Sequence, residues 1–574
     1  MKKILLLISL LISFYVYGET KTSQAGAVNF NTASSWSPSG VPQSGDDIVI
    51  PNGSFLTIDA TATVKSMNLQ SGGFVFVNNP LTISGASSSN SEIAGNLSVS
   101  ANITFSDANL TNSGSMSVDA GKQVIFSSNS STILNTGTIT LNSDSSNFSS
   151  LLYQGTNYSG SGTVQYSRYI SAEGTTWELI GSPVSGETAS DIIAQTNLAN
   201  QGSDFGIGTY DNTTGTSGSW STFSNVDAAV EGILESGKGF QMATDNGATI
   251  NFIGNLVTGV TDFAISEGDN DGDTPSATGS RFNLLSNPYT SYMSVNSNAA
   301  TASSFGSDYI LKASNLNILH TNNQALYVYN GTDYTVINSA TSAANAVIAP
   351  GQGFMVGGKY DDGSNNLSMN TLMKTEDGSD DGVSGDIMDD DRGELFLSIN
   401  QNEVSSKTEI YFLENTSDLF EPSYDAGTLS IVFTGIYSRI INGDEGVDLA
   451  IQSLAYSEMW DKVIPLGINA LGGEEMTIGI SHRTTPADLN IYLEDTEEGT
   501  MTNLLDGDYV LTPTTDLSGV GRFFIHMSAD TMSNEEVSTS MLNAYKEIDA
   551  SYITIEGLAT QSNETKVSLY NILG

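Results

Sequence analysis

The most constraining feature of the sequence is a pattern that occurs twice in the middle of the chain. The first copy opens with WELIGSPV (177–184) and closes on GKGF (237–240). The second copy opens with FNLLSNPY (282–289) and closes on GQGF (351–354). In each copy an apolar strand ends at a proline, and a Gly-x-Gly-Phe strand start follows later. This repetition predicts tandem β modules.

Each copy also contains a tyrosine turn, YDN (210–212) in the first and YNG (329–331) in the second. The glycine before each closing phenylalanine lets the backbone pass close to a neighbouring segment. The aromatic residues of the two copies have two possible interpretations. They form a platform on which sugars stack, or they form the core of a small β module. The residues are Trp177, Tyr210, Trp220, Phe223 and Phe240 in the first copy, and Tyr289, Tyr327, Tyr329, Tyr334 and Phe354 in the second.

Composition limits the partners of the chain. Its 19 Lys and Arg residues against 64 Asp and Glu residues give a net charge of −45. A chain with this charge is repelled by phosphate backbones and by anionic lipid surfaces. The composition therefore argues against nucleic-acid binding and against attachment to a membrane surface. The same negative charge also has a simpler explanation, because it keeps an exposed protein surface soluble. At 574 residues the chain is too long for one core, and the scarcity of periodic helix-forming runs indicates a β protein.

The N-terminus predicts an exported protein. Residues 1–18 have two lysines, an apolar stretch and small residues at the end, which is typical of a secretory signal peptide; a retained anchor is the alternative. No later segment is apolar enough to predict a transmembrane helix in the mature chain. The sequence has no cysteine, so disulfides cannot stabilise it and it is not a lipoprotein.

Short strand triplets separated by polar turns fill residues 25–142. Gly95, Gly114 and Gly137 precede three of them at intervals of about 20 residues, which predicts a β-solenoid; a β-sandwich is the alternative. The segment SSWSPSGVPQSGDDIVIPNG (34–53) resembles the first coil of secreted bacterial solenoids of pectin-lyase-like shape, right-handed β-helices, in which Trp36 would cap the interior. Some related solenoids are polysaccharide lyases or hydrolases, but the triplets here carry Ser, Thr and Asn instead of clustered charges.

Residues 393–527 predict an immunoglobulin-like or jelly-roll β-sandwich, because alternating apolar strands recur at regular spacing. Pro465 and Pro486 are placed between strands in this prediction. Together with the paired repeats, several segments of this region are similar to surface proteins that Bacteroidetes export through the type IX secretion system. The segments are YDAG (424–427), VIPLGI (463–468), LNIYLEDT (489–496) and GRFFIHM (521–527).

The resemblance extends to the end of the chain, where YITI (552–555) and VSLYNILG (567–574) are similar to the opening strands of a type IX C-terminal sorting domain. Such a domain continues for several more strands, so we expect the sequence to be truncated there. The resemblance implies export by the type IX machinery to the outer surface of a Gram-negative bacterium, or beyond it.

Two acidic runs are candidates for ion binding. Asp269, Asp271 and Asp273 occupy alternate positions beside glycine, a spacing that can wrap calcium; a hydrated linker is the alternative. The second run, 375–392, predicts an extended linker or a joint that calcium orders. Calcium is the one cofactor that the sequence suggests. The three histidines are far apart, and no catalytic or cofactor-binding residue can be named.

The sequence thus predicts an all-β, multidomain chain. Its segments are a signal peptide (1–18), a β-solenoid (19–162), the first β module (163–268), an acidic linker (269–280), the second β module (281–375), a second acidic linker (376–392), a β-sandwich (393–530), and a linker with the start of the sorting domain (531–574).

These features predict a non-enzymatic, adhesin-like secreted or cell-surface protein that displays β-rich binding modules to extracellular glycans or other cell surfaces. The alternative is a polysaccharide-binding or polysaccharide-degrading surface protein, a lyase or glycoside hydrolase with a catalytic region in the solenoid.

Overall fold

The computed structural model describes residues 18–85, 89–174, 176–214, 218–268, 279–331, 333–341, 346–359, 365–376, 392–429 and 434–529, and the backbone of strands at 543–545 and 554–556. The chain forms two compact units, Met1–Ile387 and Met388–Gly574. With 49% strand and 7% helix, it is an all-β protein that contains a β-solenoid, which confirms the predicted fold class. No helix in this described part has the length and hydrophobicity needed to span a bilayer.

The solenoid has about six coils, which stack three parallel sheets. Sheet one contains β1 (Thr20–Ser23), β4 (Asp47–Ile50), β7 (Ser66–Leu69), β10 (Asn90–Ile93), β13 (Asn109–Asn112), β16 (Ile133–Asn135) and β19 (Tyr158–Ser159), with β3 (Trp36–Ser37) antiparallel at its edge. Sheet two contains β2 (Gly26–Asn29), β5 (Ser54–Ile58), β8 (Phe74–Val77), β11 (Asn96–Val99), β14 (Ser115–Val118), β17 (Thr138–Asn142) and β20 (Thr163–Ile170). Sheet three contains β6 (Ala62–Val64), β9 (Leu81–Ile83), β12 (Ile103–Phe105), β15 (Gln123–Phe126) and β18 (Ser150–Tyr153).

A column of glycines marks one corner of the solenoid. A Cβ atom on Gly114 would lie 2.1 Å from the carbonyl oxygen of Gly95, and one on Gly137 would lie 2.1 Å from that of Gly114. Any side chain here would therefore collide with the preceding coil. At the N-terminal end Trp36 is 2% exposed, and its indole N–H donates to the carbonyl of Phe30 at 2.9 Å. Trp36 lies in the interior, as the sequence predicts.

The first copy of the repeat continues the solenoid. Its strands are β21 (Glu178–Ile180), β22 (Val184–Ser185), β23 (Asn200–Gln201), β24 (Asp204–Asp211), β25 (Ser219–Phe223), β26 (Phe240–Met242) and β27 (Ala248–Leu256), and its helices are α1 (Ala189–Ile193) and α2 (Asn225–Glu231). Strand β27 pairs antiparallel with β20 and extends sheet two. One hydrophobic core runs from Phe30 to Leu256. The first copy thus has its own sheet but shares its core with the solenoid, which the sequence did not predict.

The second copy has a separate core. Its strands are β28 (Thr261–Ala264), β29 (Phe282–Ser286), β30 (Tyr292–Ser294), β31 (Leu326–Tyr329), β32 (Tyr334–Ile337), β33 (Val347–Ile348), β34 (Gly353–Gly357), β35 (Asn366–Met369) and β36 (Lys374–Thr375), and its helices are α3 (Ser297–Ala302) and α4 (Ala313–Leu316). Short 3-10 helices lie at Ala33–Ser35, Thr321–Asn323, Thr371–Met373 and Tyr456–Glu458.

The two copies have the same strand order. The first sheet runs β21, β26, β24 and β25, and the second runs β29, β34, β31 and β32. In each sheet the opening strand lies beside the closing strand, which lies beside the strand that carries the tyrosine turn. The repeated sequence pattern therefore corresponds to a repeated sheet.

The copies also pair with each other reciprocally. The opening strand of the first copy bridges to the closing strand of the second at Ile180 and Gln352, and the closing strand of the first bridges to the opening strand of the second at Lys238 and Leu285. These are equivalent positions, so an approximate twofold axis relates the copies. A Cβ atom on Gly353 would lie 2.6 Å from the backbone of Leu179. The Gly-x-Gly-Phe pattern is thus explained by this close approach.

The second copy docks on the last coil of the solenoid through buried polar contacts. The Lys374 ammonium donates to the carbonyls of Tyr153, at 2.8 Å, and Val257, at 3.4 Å, and lies 4.4 Å from the centre of the Tyr289 ring. The Thr290 hydroxyl donates to the carbonyl of Leu151 at 3.1 Å. Because Lys374 is fully buried, desolvation lowers its pKa to about 7.

The second unit contains one eleven-stranded sheet around one core. Its strands are β37 (Gly393–Gln401), β38 (Val404–Leu413), β39 (Ala426–Gly427), β40 (Gly435–Ser438), β41 (Leu449–Ala455), β42 (Asp461–Asn469), β43 (Met476–Arg483), β44 (Asn490–Asp495), β45 (Thr500–Asn503), β46 (Tyr509–Leu511) and β47 (Val520–Ser528); β48 (Asn543–Tyr545) and β49 (Thr554–Glu556) form a separate pair. The Tyr509 hydroxyl on β46 donates to Asp495 on β44 at 2.5 Å, although the two strands are far apart in sheet order. The sheet therefore folds over on itself.

One strand prediction in this unit was wrong. Pro465 lies inside β42, opposite Phe524 of β47, and not between strands. The burial pattern explains this position: Ile464 and Leu466 face the core, whereas Pro465 between them is only partly buried. Alternating apolar residues thus outweigh the usual exclusion of proline from a central strand.

Candidate ligand-binding surface

The predicted calcium ligands Asp269, Asp271 and Asp273 lie outside the described residues. The residues that flank them are held together, because the N–H of Gly268 donates to the carbonyl of Ser280 at 2.9 Å. Elsewhere in the described ranges, no three His, Asp or Glu side chains gather so as to hold a metal ion. The calcium site remains a prediction.

The structure divides the repeat aromatics into two groups. Five are buried in the cores: Phe223, Phe240, Tyr289, Tyr327 and Phe354. For these five the core interpretation is correct. The remaining five, Trp177, Tyr210, Trp220, Tyr329 and Tyr334, keep part of their surface in contact with solvent, and Trp220 is 42% exposed.

Four of the partly exposed rings form two equivalent pairs, which together we call the rim cluster: Tyr210 and Trp220 in the first copy, Tyr329 and Tyr334 in the second. Tyr210 on β24 lies directly opposite Trp220 on β25, and their ring centroids are 4.9 Å apart. Tyr329 on β31 lies directly opposite Tyr334 on β32, with centroids 5.1 Å apart. Opposed aromatic rings also stabilise a hairpin, so each pair has a structural role whether or not it binds a ligand.

The two pairs lie near each other. Burial raises the pKa of Tyr334, and the neighbouring phenols of Tyr329 and Tyr210 raise it further. Tyr210 therefore lies close enough to act electrostatically on a residue of the other copy. The Tyr210 hydroxyl is also hydrogen-bonded to the side chain of Ser280, just before the second opening strand. The rim cluster is thus assembled from both copies.

Backbone contacts hold the first tyrosine turn against the second copy. The carbonyl of Asn212 accepts a hydrogen bond from the N–H of Ser280 at 2.7 Å. The side-chain amide of Asn212 donates to the carbonyl of Ser266 at 3.0 Å and to Asn283 at 3.4 Å. Asn212 therefore fixes where Tyr210 lies relative to the second copy.

Hydroxyl and carboxylate groups surround the rings. Asp211 accepts hydrogen bonds from the side chain and backbone of Thr213, at 2.7 and 2.8 Å, which lower the pKa of its carboxyl. The Thr209 and Ser221 hydroxyls are 3.2 Å apart on neighbouring strands. The rim cluster thus offers apolar ring faces beside hydrogen-bonding groups, the combination that small-molecule sites use for orientation.

The rim cluster contains uncharged phenols and two nearby carboxylates. Burial raises the pKa values of Tyr210, Tyr329 and Tyr334, so all three hydroxyls are protonated at neutral pH. The Tyr329 hydroxyl donates to the carbonyl of Gly331 at 2.8 Å, so towards a ligand it is an acceptor. The charged side chains that act on these phenols are the carboxylates of Asp211 and Asp333. The site is therefore neutral or weakly negative.

The histidines have local partners. His482 lies 2.8 Å from a carboxylate oxygen of Glu394, and His526 lies 2.7 Å from one of Glu494. Nδ1 of His320 lies 2.7 Å from the guanidinium of Arg281. Each contact joins the histidine to a neighbouring strand or loop, and we assign it a structural role.

Sequence reasoning named the rim-cluster rings but missed how they assemble. It treated each copy as a separate module, and it did not single out Asp211 and Asp333. The spacing carried no signal for this assembly, because Trp220 follows Tyr210 by ten residues whereas Tyr334 follows Tyr329 by five.

Residues 87–527 match the model of a domain of unknown function, DUF8693. The match covers about half of the solenoid, both copies of the repeat and nearly all of the eleven-stranded sheet of the second unit. No curated protein matches the chain, and neither does any solved structure. Since the family model covers more than half of its length, the chain belongs to the DUF8693 family.

Proposed function

We propose that the chain is a non-enzymatic, adhesin-like binding protein that contacts extracellular glycans through the rim cluster. The observation that carries this proposal is the contact between the tyrosine turn of the first copy and the second copy, which places two partly exposed ring pairs near each other. Aromatic rings beside hydroxyl groups suit ligands with one apolar and one hydroxylated face, and sugars have both.

The exposure of Trp220 supports this proposal. It is 42% exposed although it lies on a strand whose phenylalanine, Phe223, is buried. A ring that served only the core would be covered, as Phe240 and Phe354 are. Exposed aromatic surface beside polar groups is typical of binding sites.

The location of the protein remains part of the proposal. The N-terminal sequence and the similarity to type IX cargo support secretion or display on the outer surface of a Gram-negative bacterium. A solenoid with binding modules at one end suits display, because a rigid stack carries the modules away from its other end.

A glycan array tests the binding role. The full chain is expected to bind a subset of glycans, and Trp220→Ala is expected to weaken that binding about tenfold, the loss of one stacking contact. Trp460→Ala is a matched control, because Trp460 is 36% exposed and lies in the second compact unit, outside the repeats. Binding to no glycan, or equal weakening by both substitutions, would contradict the proposal.

The solenoid keeps one alternative open, a polysaccharide-degrading protein with its active residues on a solenoid face. That alternative predicts release of reducing ends from a polysaccharide that the array identifies. Release that is abolished by substituting a solenoid carboxylate, such as Asp47→Asn, would favour the enzyme. Binding without release would favour the adhesin-like protein.

A further inference from the structure

We propose that the rim cluster binds the interior of an uncharged polysaccharide chain, with one ring pair contributed by each copy of the repeat. This inference rests on the proposed function and specifies its ligand. It is carried by the twofold relation of the ring pairs, by their position on outer strands and by the charges beside them.

The ligand has to be longer than one sugar. The two rings of each pair are in contact with each other. Their centroids are 4.9 Å apart for Tyr210 and Trp220, and 5.1 Å apart for Tyr329 and Tyr334. One such pair offers stacking surface for about one sugar ring. Both pairs belong to one surface, because the Tyr210 hydroxyl is hydrogen-bonded to Ser280 of the second copy and Tyr210 lies close enough to act on Tyr334. A ligand that uses the whole rim cluster therefore has several sugar units.

The position of the rings favours the interior of a chain over its end. Strands β25 and β32, which carry Trp220 and Tyr334, are the outermost strands of their sheets. A chain end is usually held in a closed pocket, which surrounds it on several sides. An outer strand with a ring that is 42% exposed instead lets a chain enter and leave on both sides.

Charge disfavours acidic polysaccharides. The carboxylates that act on the phenols belong to Asp211 and Asp333, and the chain as a whole carries a net charge of −45. Uronate or sulfate groups brought to this surface would meet like charge. The phenols, in contrast, are uncharged groups that can accept hydrogen bonds from the hydroxyls of a neutral hexose or pentose chain, as the Tyr329 oxygen can while its proton is held by Gly331.

The test measures affinity of the full chain by calorimetry. The probes are neutral polysaccharides (glucan, mannan and xylan), acidic ones (polygalacturonate and alginate), and an oligosaccharide series, from two to six units, cut from the best binder. We expect a neutral polymer to bind best and its six-unit fragment to bind at least about tenfold more tightly than the two-unit fragment. Trp220→Ala and Tyr334→Ala should each weaken binding of the six-unit fragment about tenfold.

Several outcomes would overturn the inference while leaving the proposed function intact. They are tighter binding of an acidic polymer, equal affinity for the two-unit and six-unit fragments, or loss with one substitution but not the other. Binding of no glycan at all would instead contradict the proposed function. Trp220→Phe keeps a ring and should retain most of the affinity, whereas Tyr334→Phe should lose only the part that its hydroxyl contributes. Misfolding would lower binding in both phenylalanine variants as much as in the alanine variants, and Trp460→Ala remains the surface control.

Discussion

The first and second copies of the repeat have the same sheet order but meet the solenoid in different ways. In the first copy, β27 pairs with β20, so the solenoid and the copy share one sheet and one core. In the second copy, polar contacts from Lys374 and Thr290 reach the carbonyls of the last coil, and a small separate apolar cluster packs Tyr292, Ala299, Val347 and Ala349 against Phe148. The strand order within a copy follows the repeated sequence, whereas docking depends on residues that differ between the copies.

Equivalent positions show where the copies diverged. Val184 in the first copy corresponds to Tyr289 in the second, and Ser185 corresponds to Thr290. Ser185 is partly exposed and donates to Asn255 within its own copy at 3.3 Å, whereas Thr290 is fully buried and donates to the solenoid. The same position of the repeat is thus partly exposed to solvent in the first copy and buried at the interface with the solenoid in the second.

The largest effect that we expect concerns Lys374. Its pKa falls from an ordinary value of 10.5 to about 7 on burial, so the folded state binds this proton less tightly than the unfolded state. The contribution of Lys374 to the free energy of unfolding should therefore decline as pH falls from about 10.5 to about 7, by on the order of 5 kcal/mol, and stay constant below that window.

Lys374→Met removes this titration. The difference in unfolding free energy between the variant and the parent should depend on pH between about 7 and 10.5, measured by denaturant unfolding of the full chain at a series of pH values. The packing lost with the side chain shifts the difference alike at every pH, so the slope of the difference against pH is what reports the titration. If the difference in unfolding free energy did not depend on pH, the pKa of Lys374 would not be lowered in the folded protein.

The next effect tests the reciprocal bridges. Gly353→Ala should destabilise the protein by about 2–3 kcal/mol, because the new Cβ would lie 2.6 Å from the backbone of Leu179. Gly239→Ala, at the equivalent closing strand, would place a Cβ 2.6 Å from Leu284 and should cost a similar amount. Thermal unfolding measures both.

Gly507→Ala is the control for these substitutions, since a Cβ at Gly507 would meet no atom within 4 Å. It should leave the melting temperature nearly unchanged. If Gly353→Ala and Gly239→Ala were as mild as this control, the close approach between the copies would be absent in solution.

A smaller effect separates the docking modes of the two copies. Thr290→Val removes one buried hydrogen bond to the solenoid and leaves the Leu151 carbonyl without that donor, which should cost about 1 kcal/mol. Ser185→Ala, at the matching position of the first copy, removes a bond of a partly exposed side chain and should cost less. If both substitutions lowered the free energy of denaturant unfolding by the same amount, the proposed difference in docking between the copies would be wrong.

The smallest effect concerns the predicted calcium ligands between the copies. If Asp269, Asp271 and Asp273 bind calcium with the weak affinity of extracellular modules, calcium at its Kd should stabilise the protein by only about 0.4 kcal/mol. Calorimetry on the full chain and on a variant with all three replaced by asparagine measures binding directly. No heat at millimolar calcium, or equal heat in both proteins, would refute the site.

Particular residues show how far the sequence could predict this fold. Gly95, Gly114 and Gly137 recur because each coil leaves no room for a Cβ, and so the solenoid was predictable from local spacing. The start of β29 at Phe282 and of β34 at Gly353 was likewise predictable from the repeated pattern.

Contacts between distant segments were not predictable. Nothing in the neighbours of Lys374 along the chain indicates that its ammonium meets Tyr153, and nothing beside Tyr210 indicates that Tyr334 lies near it. Pro465 was misplaced for a related reason, because its position depends on burial of its neighbours in a sheet formed by distant strands. For the candidate site, the rings were predictable and their assembly was not.

The most direct test of the account is cross-linking of the reciprocal bridges, which the absence of native cysteine makes clean. Two double variants, Ile180→Cys with Gln352→Cys and Lys238→Cys with Leu285→Cys, place cysteines at bridge partners close to disulfide distance. The control, Thr209→Cys with Ser221→Cys, lies across one hairpin of the first copy. We predict that mild oxidation links all three pairs in the monomer, as measured by peptide mass spectrometry. Linkage of the control pair alone would contradict the reciprocal pairing, and with it the rim cluster.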